Sequence, residues 1–146
     1  MKLMISEVLQ KAHNAKTKAK KIEILQDNNT TALRSLFVVN FDDSLTPRVP
    51  LGEDVPFRKN EAPKGTEHTL LEKEALKLYR FFVGGDDTLP KMKVENMFIQ
   101  MLEGLHADEA EVVIKAVNKS LHKKYRITHA VVKEAFPSIE WGNRGR

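Results

Sequence analysis

Between Glu111 and Glu134 the chain carries six cations, Lys115, Lys119, Lys123, Lys124, Arg126 and Lys133, and no carboxylate. His122, Tyr125, Thr128 and His129 stand among them. The chemistry open to such a set is the gripping of a sugar–phosphate strand. Ammonium and guanidinium groups neutralise phosphates, while hydroxyls and the free N–H groups of a helix N-terminus donate to phosphate oxygens. In that arrangement Lys119, Lys123, Lys124 and Arg126 meet phosphates, Thr128 and the helix it caps donate hydrogen bonds, and Tyr125 packs on a sugar. A second acid-free block, Lys11, Lys16, Lys18, Lys20 and Lys21, lies between Glu7 and Glu23. A lysine-rich helix face of that kind is, on its own, ordinary solvated surface. Neither block reads bases, so the expected mode is backbone-directed, with affinity falling steeply as salt rises.

Other chemistries find less support. Gly84-Gly85-Asp86-Asp87 invites comparison with the Gly-Asp-Asp metal site of polymerases, but that site needs a β-hairpin to present its carboxylates to two metals. Here the run follows a helical pattern and precedes Thr-Leu-Pro, so it reads as a helix stop. Asp42-Asp43 reads as a turn. The histidines, His13, His68, His106, His122 and His129, lack the i, i+4 spacing of a helical zinc pair. Cysteine is absent, which removes disulfides, iron–sulfur clusters and thiol nucleophiles together. No Gly-rich phosphate loop and no Ser/His/Asp set in a recognisable context is present. The expectation is no enzyme, no metal and no cofactor.

The elements that must hold these residues are helical. Leu3, Ile5, Val8 and Leu9 predict a short first helix. Asn14 is the candidate cap of a second, with Ile22 and Leu25 inward. Asn28-Asn29-Thr30-Thr31 offers the cap of a third, with Leu33, Leu36, Phe37 and Asn40 on one face. Residues 42–69 contain Pro47, Pro50, Pro56 and Pro63 with Gly52 and Gly65, and predict a long irregular loop. Thr69-Leu70-Leu71-Glu72 matches a capping box for a fourth helix through Leu76, Tyr79 and Phe82, stopped by Gly84-Gly85. A fifth is expected from about Lys93 to Leu105, with Val94, Met97, Phe98, Met101 and Leu102 as its stripe. Asp108, Glu109 and Glu111 suit the positive end of a sixth, whose apolar ladder is Val112, Val113, Ala116, Val117 and Leu121. That helix is expected to carry Lys115, Lys119, Lys123 and Lys124 in its last turns. Thr128 then caps a last helix ending at Phe136, before Pro137.

These elements make an all-α fold, a single domain of six or seven helices over residues 1–139 with one long Pro-rich loop, and a basic C-terminal tail over 140–146. Length and composition agree: 146 residues, 41% hydrophobic and 30% charged, with a formal net charge of +4, describe one globular domain able to bury a core. Glu7 interrupts the apolar N-terminus, arguing against a signal peptide. No run approaches the roughly 18 apolar residues of a membrane span. A soluble, cytoplasmic protein is expected.

The order of these segments resembles the N-terminal helical DNA-binding domain of T-even-type phage ATP-dependent DNA ligases. Thr17-Lys18-Ala19-Lys20-Lys21-Ile22-Glu23-Ile24-Leu25 is similar to that family's T-K-x-K-x-x-I-L segment, and Asp27-Asn28-Asn29 to its turn into a leucine-bearing helix, here Leu33 to Phe41. Met97 to Leu105 resembles the helix before the family's acidic D-x-x-E start, here Asp108 to Glu111. Val132-Lys133-Glu134-Ala135-Phe136-Pro137-Ser138-Ile139 resembles its closing run. The chain departs from the pattern twice. It has no Gly between Gly104 and Gly142, where the family places one in the turn before the last helix, and it lacks the Lys-x-Asp-Gly nucleotidyltransferase motif. The resemblance therefore implies a stand-alone, phage-encoded accessory protein acting in the infected cell, binding duplex or nicked DNA without ligation chemistry. It places Lys18, Lys20, Lys21, Lys119, Lys123, Lys124, Arg126 and Thr128 in DNA-facing segments.

A rival from another class is a protein-interaction adaptor of phage replication, transcription or virion machinery that kept the fold and lost DNA. Its contacts with a phage or host protein would come from the loop between Pro47 and Pro63 and the tail Trp141-Gly142-Asn143-Arg144-Gly145-Arg146. Trp141, the only tryptophan, either caps the core or meets a partner.

Overall fold

A computed structural model of the chain describes residues 4–42, 44, 45, 47, 48, 71, 78, 81, 82, 88–139 and 141. Among these residues it contains seven α-helices and no strand: α1 (Ile5–Asn14), α2 (Lys18–Asp27), α3 (Thr31–Phe41), α4 (Lys91–Gly104), α5 (Ala107–Val117), α6 (Leu121–Lys124) and α7 (His129–Ala135). The fold is all-α. No helix among the described residues is long and apolar enough to cross a membrane.

Local chemistry sets most helix starts. The Glu7 carboxylate accepts the Met4 N–H at 2.9 Å and closes the first turn of α1. Thr17, not Asn14, caps α2, its hydroxyl accepting the Lys20 N–H at 3.2 Å; Asn14 is the last residue of α1. Thr30 and Thr128 cap α3 and α7 by accepting the N–H of Leu33 and Val131. His106 Nδ1 accepts the Asp108 N–H at 3.1 Å at the head of α5. Pro90 precedes α4 and Pro137 follows α7, where a missing N–H and a fixed φ start or stop helices at little cost.

The apolar stripes meet in one core. Ile5, Val8, Leu9 and Ala12 of α1 join Ile24 and Leu25 of α2, Leu33, Leu36 and Phe37 of α3, Val94, Phe98 and Leu102 of α4, and Val112, Val113, Ala116 and Val117 of α5. Phe37 stacks on Phe41 at 6.4 Å and tilts against Phe136 at 6.2 Å, so α3 is tied to the segment after α7. Helix α1 packs on α2 and α5, α2 on α7, α3 on α5, and α4 on α5.

Most of the expected fourth helix and most of the Pro-rich loop lie outside the described residues. Within them, Asp42 forms the expected turn, its carboxylate accepting from the Ser44 N–H at 2.9 Å and the Ser44 hydroxyl at 2.6 Å. Pro47 bridges Phe82, and the Arg48 N–H donates to the Phe81 carbonyl at 2.7 Å. Leu71, Leu78, Phe81 and Phe82 are all buried.

One expectation is corrected at the end of α5. The helix does not run on to Lys124. It stops at Val117, and Lys119 takes φ 56°, the left-handed region. The Asn118 side chain donates to the Ile114 carbonyl at 2.8 Å, and the Ser120 N–H donates to the Lys115 carbonyl at 2.8 Å. A fresh short helix, α6, then starts where the buried Asn40 side chain of α3 accepts the Leu121 N–H at 2.9 Å. Long-range capture of that N–H by Asn40 fixes the break.

Candidate nucleic-acid interface

The corner that carries the cations is built by α1, α6 and the link to α7. His13, near the end of α1, accepts the Arg126 N–H on Nδ1 at 3.0 Å, and its ring lies edge-on to Tyr125 at 6.3 Å. Lys21 of α2 donates to the carbonyls of Ala12 at 2.9 Å and His13 at 3.3 Å, satisfying the open end of α1. Burial, and then the Arg126 guanidinium, hold the Lys21 ammonium below its usual pKa. The two acid-free blocks, remote in sequence, therefore converge: a cation from each feels the other.

The remaining candidates divide by what they touch. Lys123 and Arg126 are exposed, and their charged ends have no partner among the described residues. Lys18 is exposed but pairs with Glu134 at 2.6 Å, and Lys20 with Glu23 at 3.4 Å. Exposed pairs of this kind are weak and open readily for a competing anion. Lys124 pairs with Glu111 at 2.5 Å and lies 5.4 Å from the centre of the Tyr125 ring. Thr128 is exposed, its hydroxyl already engaged as the α7 cap.

Two expected contacts are corrected. Lys119 does not face a phosphate; its ammonium donates to the carbonyls of Val39 at 3.0 Å and Asp42 at 2.8 Å and closes the C-terminal end of α3. Tyr125 does not pack on a sugar, because it is 3% exposed and belongs to the core. Its position four residues after Leu121 puts both on the inward side of the same turn.

Burial, followed by the charges of Glu111, Asp108 and Glu109, pushes the Tyr125 phenol up to about 12. A group raised in the folded state contributes stability that is complete below its unfolded value of about 10 and lost as pH climbs through the folded value. The expected result is a fall in stability between about pH 10 and pH 12 that is shallower in Tyr125→Phe. Urea unfolding of both proteins across that window measures it; parallel profiles would rule Tyr125 out as the cause.

The aromatic residues around the corner form a run. Phe41 lies parallel to His129 at 4.9 Å and tilted to His122 at 5.5 Å, and Trp141 meets His129 edge-on at 4.4 Å. Trp141 is partly buried against the core, so it closes the end of the fold. Among the described residues no three histidine, aspartate or glutamate side chains gather as a metal ion would require.

Sequence reasoning did not foresee the roles of three residues that matter here. His13 positions Arg126. Asn40 sets the start of α6; its signal was a polar residue inside an apolar stripe. Glu109 is 2% exposed and accepts the Ser6 N–H at 2.7 Å, pinning α1 to α5. The model of a protein family described as a family of unknown function (DUF6433) matches residues 8–123. No curated protein and no solved structure matches the chain.

Proposed function

The chain belongs to the DUF6433 family, whose function is unknown, and we propose that it is a non-enzymatic module that binds duplex or nicked DNA through phosphate contacts. The observation that carries this reading is the pair of exposed cations Lys123, on α6, and Arg126, just after it, with the Arg126 N–H held by His13. Arg126 and Lys123 keep exposed charges that no carboxylate among the described residues neutralises. A folded protein gains nothing internally from such a cluster, whereas a phosphate strand relieves its repulsion and releases counterions. Lys18 and Lys20 extend the surface along α2 once their exposed partners yield. The backbone of the corner is held by His13, so the strand meets a preformed surface and little ordering is needed. The resemblance to the helical domain of phage ligases is consistent with this reading.

Fluorescence anisotropy on nicked and intact duplex tests it. Binding is expected at about 50 mM salt with a steep salt dependence. The double variant Arg126→Glu with Lys123→Glu should bind about tenfold more weakly, and its slope of log K against log salt should be shallower by about 2. Lack of binding by the parent protein, or an unchanged slope in the variant, overturns the proposal.

A second reading, the protein-interaction adaptor, is favoured by one feature. Met92 of α4 is 74% exposed beside an open groove lined by Pro90, Lys93 and Met97. An exposed methionine with a neighbouring cation suits an adaptable contact with a partner protein. Its other contact elements do less: Trp141 is committed to the core, and the segment between Pro47 and Pro63 lies largely outside the described residues.

A further inference from the structure

A groove of about 520 Å³ lies next to the cationic corner, between α1, the head of α5 and the end of α6. Its lining includes Gln10, Lys11 and Asn14 of α1, together with Glu7, Asp108 and Lys124. The volume falls within the roughly 300–1,000 Å³ of sites that take small molecules. Its charge is balanced, with two lysines against two carboxylates. A continuous phosphate strand is therefore a poor occupant, since Glu7 and Asp108 would repel it. A neutral group rich in donors and acceptors is a good one.

We infer that this groove takes a single unpaired nucleobase from a nucleic acid strand seated on the corner. The inference rests on the DNA-binding reading above. Gln10 donates to Asn14 Oδ1 at 3.1 Å, which orients the two amides and leaves the Gln10 oxygen as an acceptor and the Asn14 NH2 as a donor. That acceptor–donor pair is the kind Asn and Gln use on base edges, and carboxylates such as Glu7 and Asp108 accept from exocyclic amino groups. Lys124 belongs both to the groove and to the run Lys123-Lys124-Tyr125-Arg126, so a strand held at Arg126 passes the groove mouth. Proteins that read single bases take them from single strands or flip them out of the duplex, and the cost is least where the base is already unpaired.

The test compares a duplex carrying a single-nucleotide bulge with the same duplex fully paired, by anisotropy on the full chain. The bulged duplex should bind about fivefold more tightly, the low end of what one good base contact is worth. Gln10→Ala with Asn14→Ala should erase that preference and leave the paired duplex bound as before. Arg126→Glu with Lys123→Glu should weaken both duplexes and keep the preference. Equal affinity for bulged and paired DNA overturns the base site while the corner stands. A preference that persists in the Gln10/Asn14 variant places the contact elsewhere and overturns it too. Failure to bind either duplex overturns both this inference and the reading it rests on.

Discussion

Glu109→Ala is expected to lower the free energy of unfolding by about 3 kcal/mol, a large share of what a domain this size has to spare. Glu109 is buried, yet it is an acid, and burying a charge is unfavourable unless the surroundings compensate it. Here the compensation comes from helix starts. The carboxylate accepts the Ser6 N–H at 2.7 Å, in the first turn of α1, while lying itself in the first turn of α5. Two positive helix ends therefore share one anion. Alanine removes the acceptor, strands the Ser6 N–H in the interior and leaves a void, and each of these effects destabilises. Glu109→Gln keeps an acceptor but not the charge, and should recover about half of the loss. Urea denaturation of the three proteins measures the series. An alanine variant within about 1 kcal/mol of the parent would falsify the shared-anion account. The same contact holds α1, and with it Gln10 and Asn14, against the Asp108 side of the groove, so a loosened α1 should also blunt any preference for bulged DNA.

The sequence and the structure agree where the determinants are local. Thr30 and Thr128 precede helices and cap them, and the stripes of α3 and α4 bury the residues their spacing picks out, apart from Met97, which is partly buried. Leu36 and Phe98 are as deeply buried as that spacing implies. The disagreements share a cause: a distant side chain settles a choice the local sequence leaves open. Asn118, Lys119 and Ser120 tolerate a helix, and the apolar ladder runs through to Leu121. The capture of the Leu121 N–H by Asn40, far away on α3, adds to the local closure by Asn118 and Ser120 and favours the break at Lys119. Glu109 resembles Asp108 as a first-turn acid, and only the packing of α1 across it buries one and exposes the other.

The basic corner shows the same division. Its position was legible, because charge and apolar spacing lie in the sequence itself. The roles of individual cations were not. Lys119 and Lys21 are drawn to carbonyls at the ends of α3 and α1, and those ends are brought near only by the fold. An ammonium near a helix C-terminus finds orphan carbonyls and the negative end of the helix dipole together, which competes directly with service as a phosphate contact. Tyr125 looked like a surface ring because its neighbours are cationic. Its distance from Leu121, and the apolar Ile127 after it, carried the contrary signal.

Asn40→Ala joins the fold to the proposed function, and a loss of about 2 kcal/mol in stability is expected. Asn40 is 2% exposed; its oxygen caps α6 at Leu121, and its amide lies 3.4 Å from His122 Nδ1. Alanine leaves the Leu121 N–H buried without an acceptor, and α6, only four residues long, has little cooperative strength to hold its start unaided. The first consequence is global and read by urea denaturation. The second is local: α6 carries Lys123 and leads into Arg126, so its fraying should spread the cations and weaken DNA binding several-fold at a temperature where the variant is fully folded. The two readouts separate two ideas. Unchanged stability would show that Asn40 does not set the break after α5. Lower stability with undiminished DNA affinity would show that binding does not depend on a preformed corner, and the preorganised surface at Arg126 would have to be abandoned.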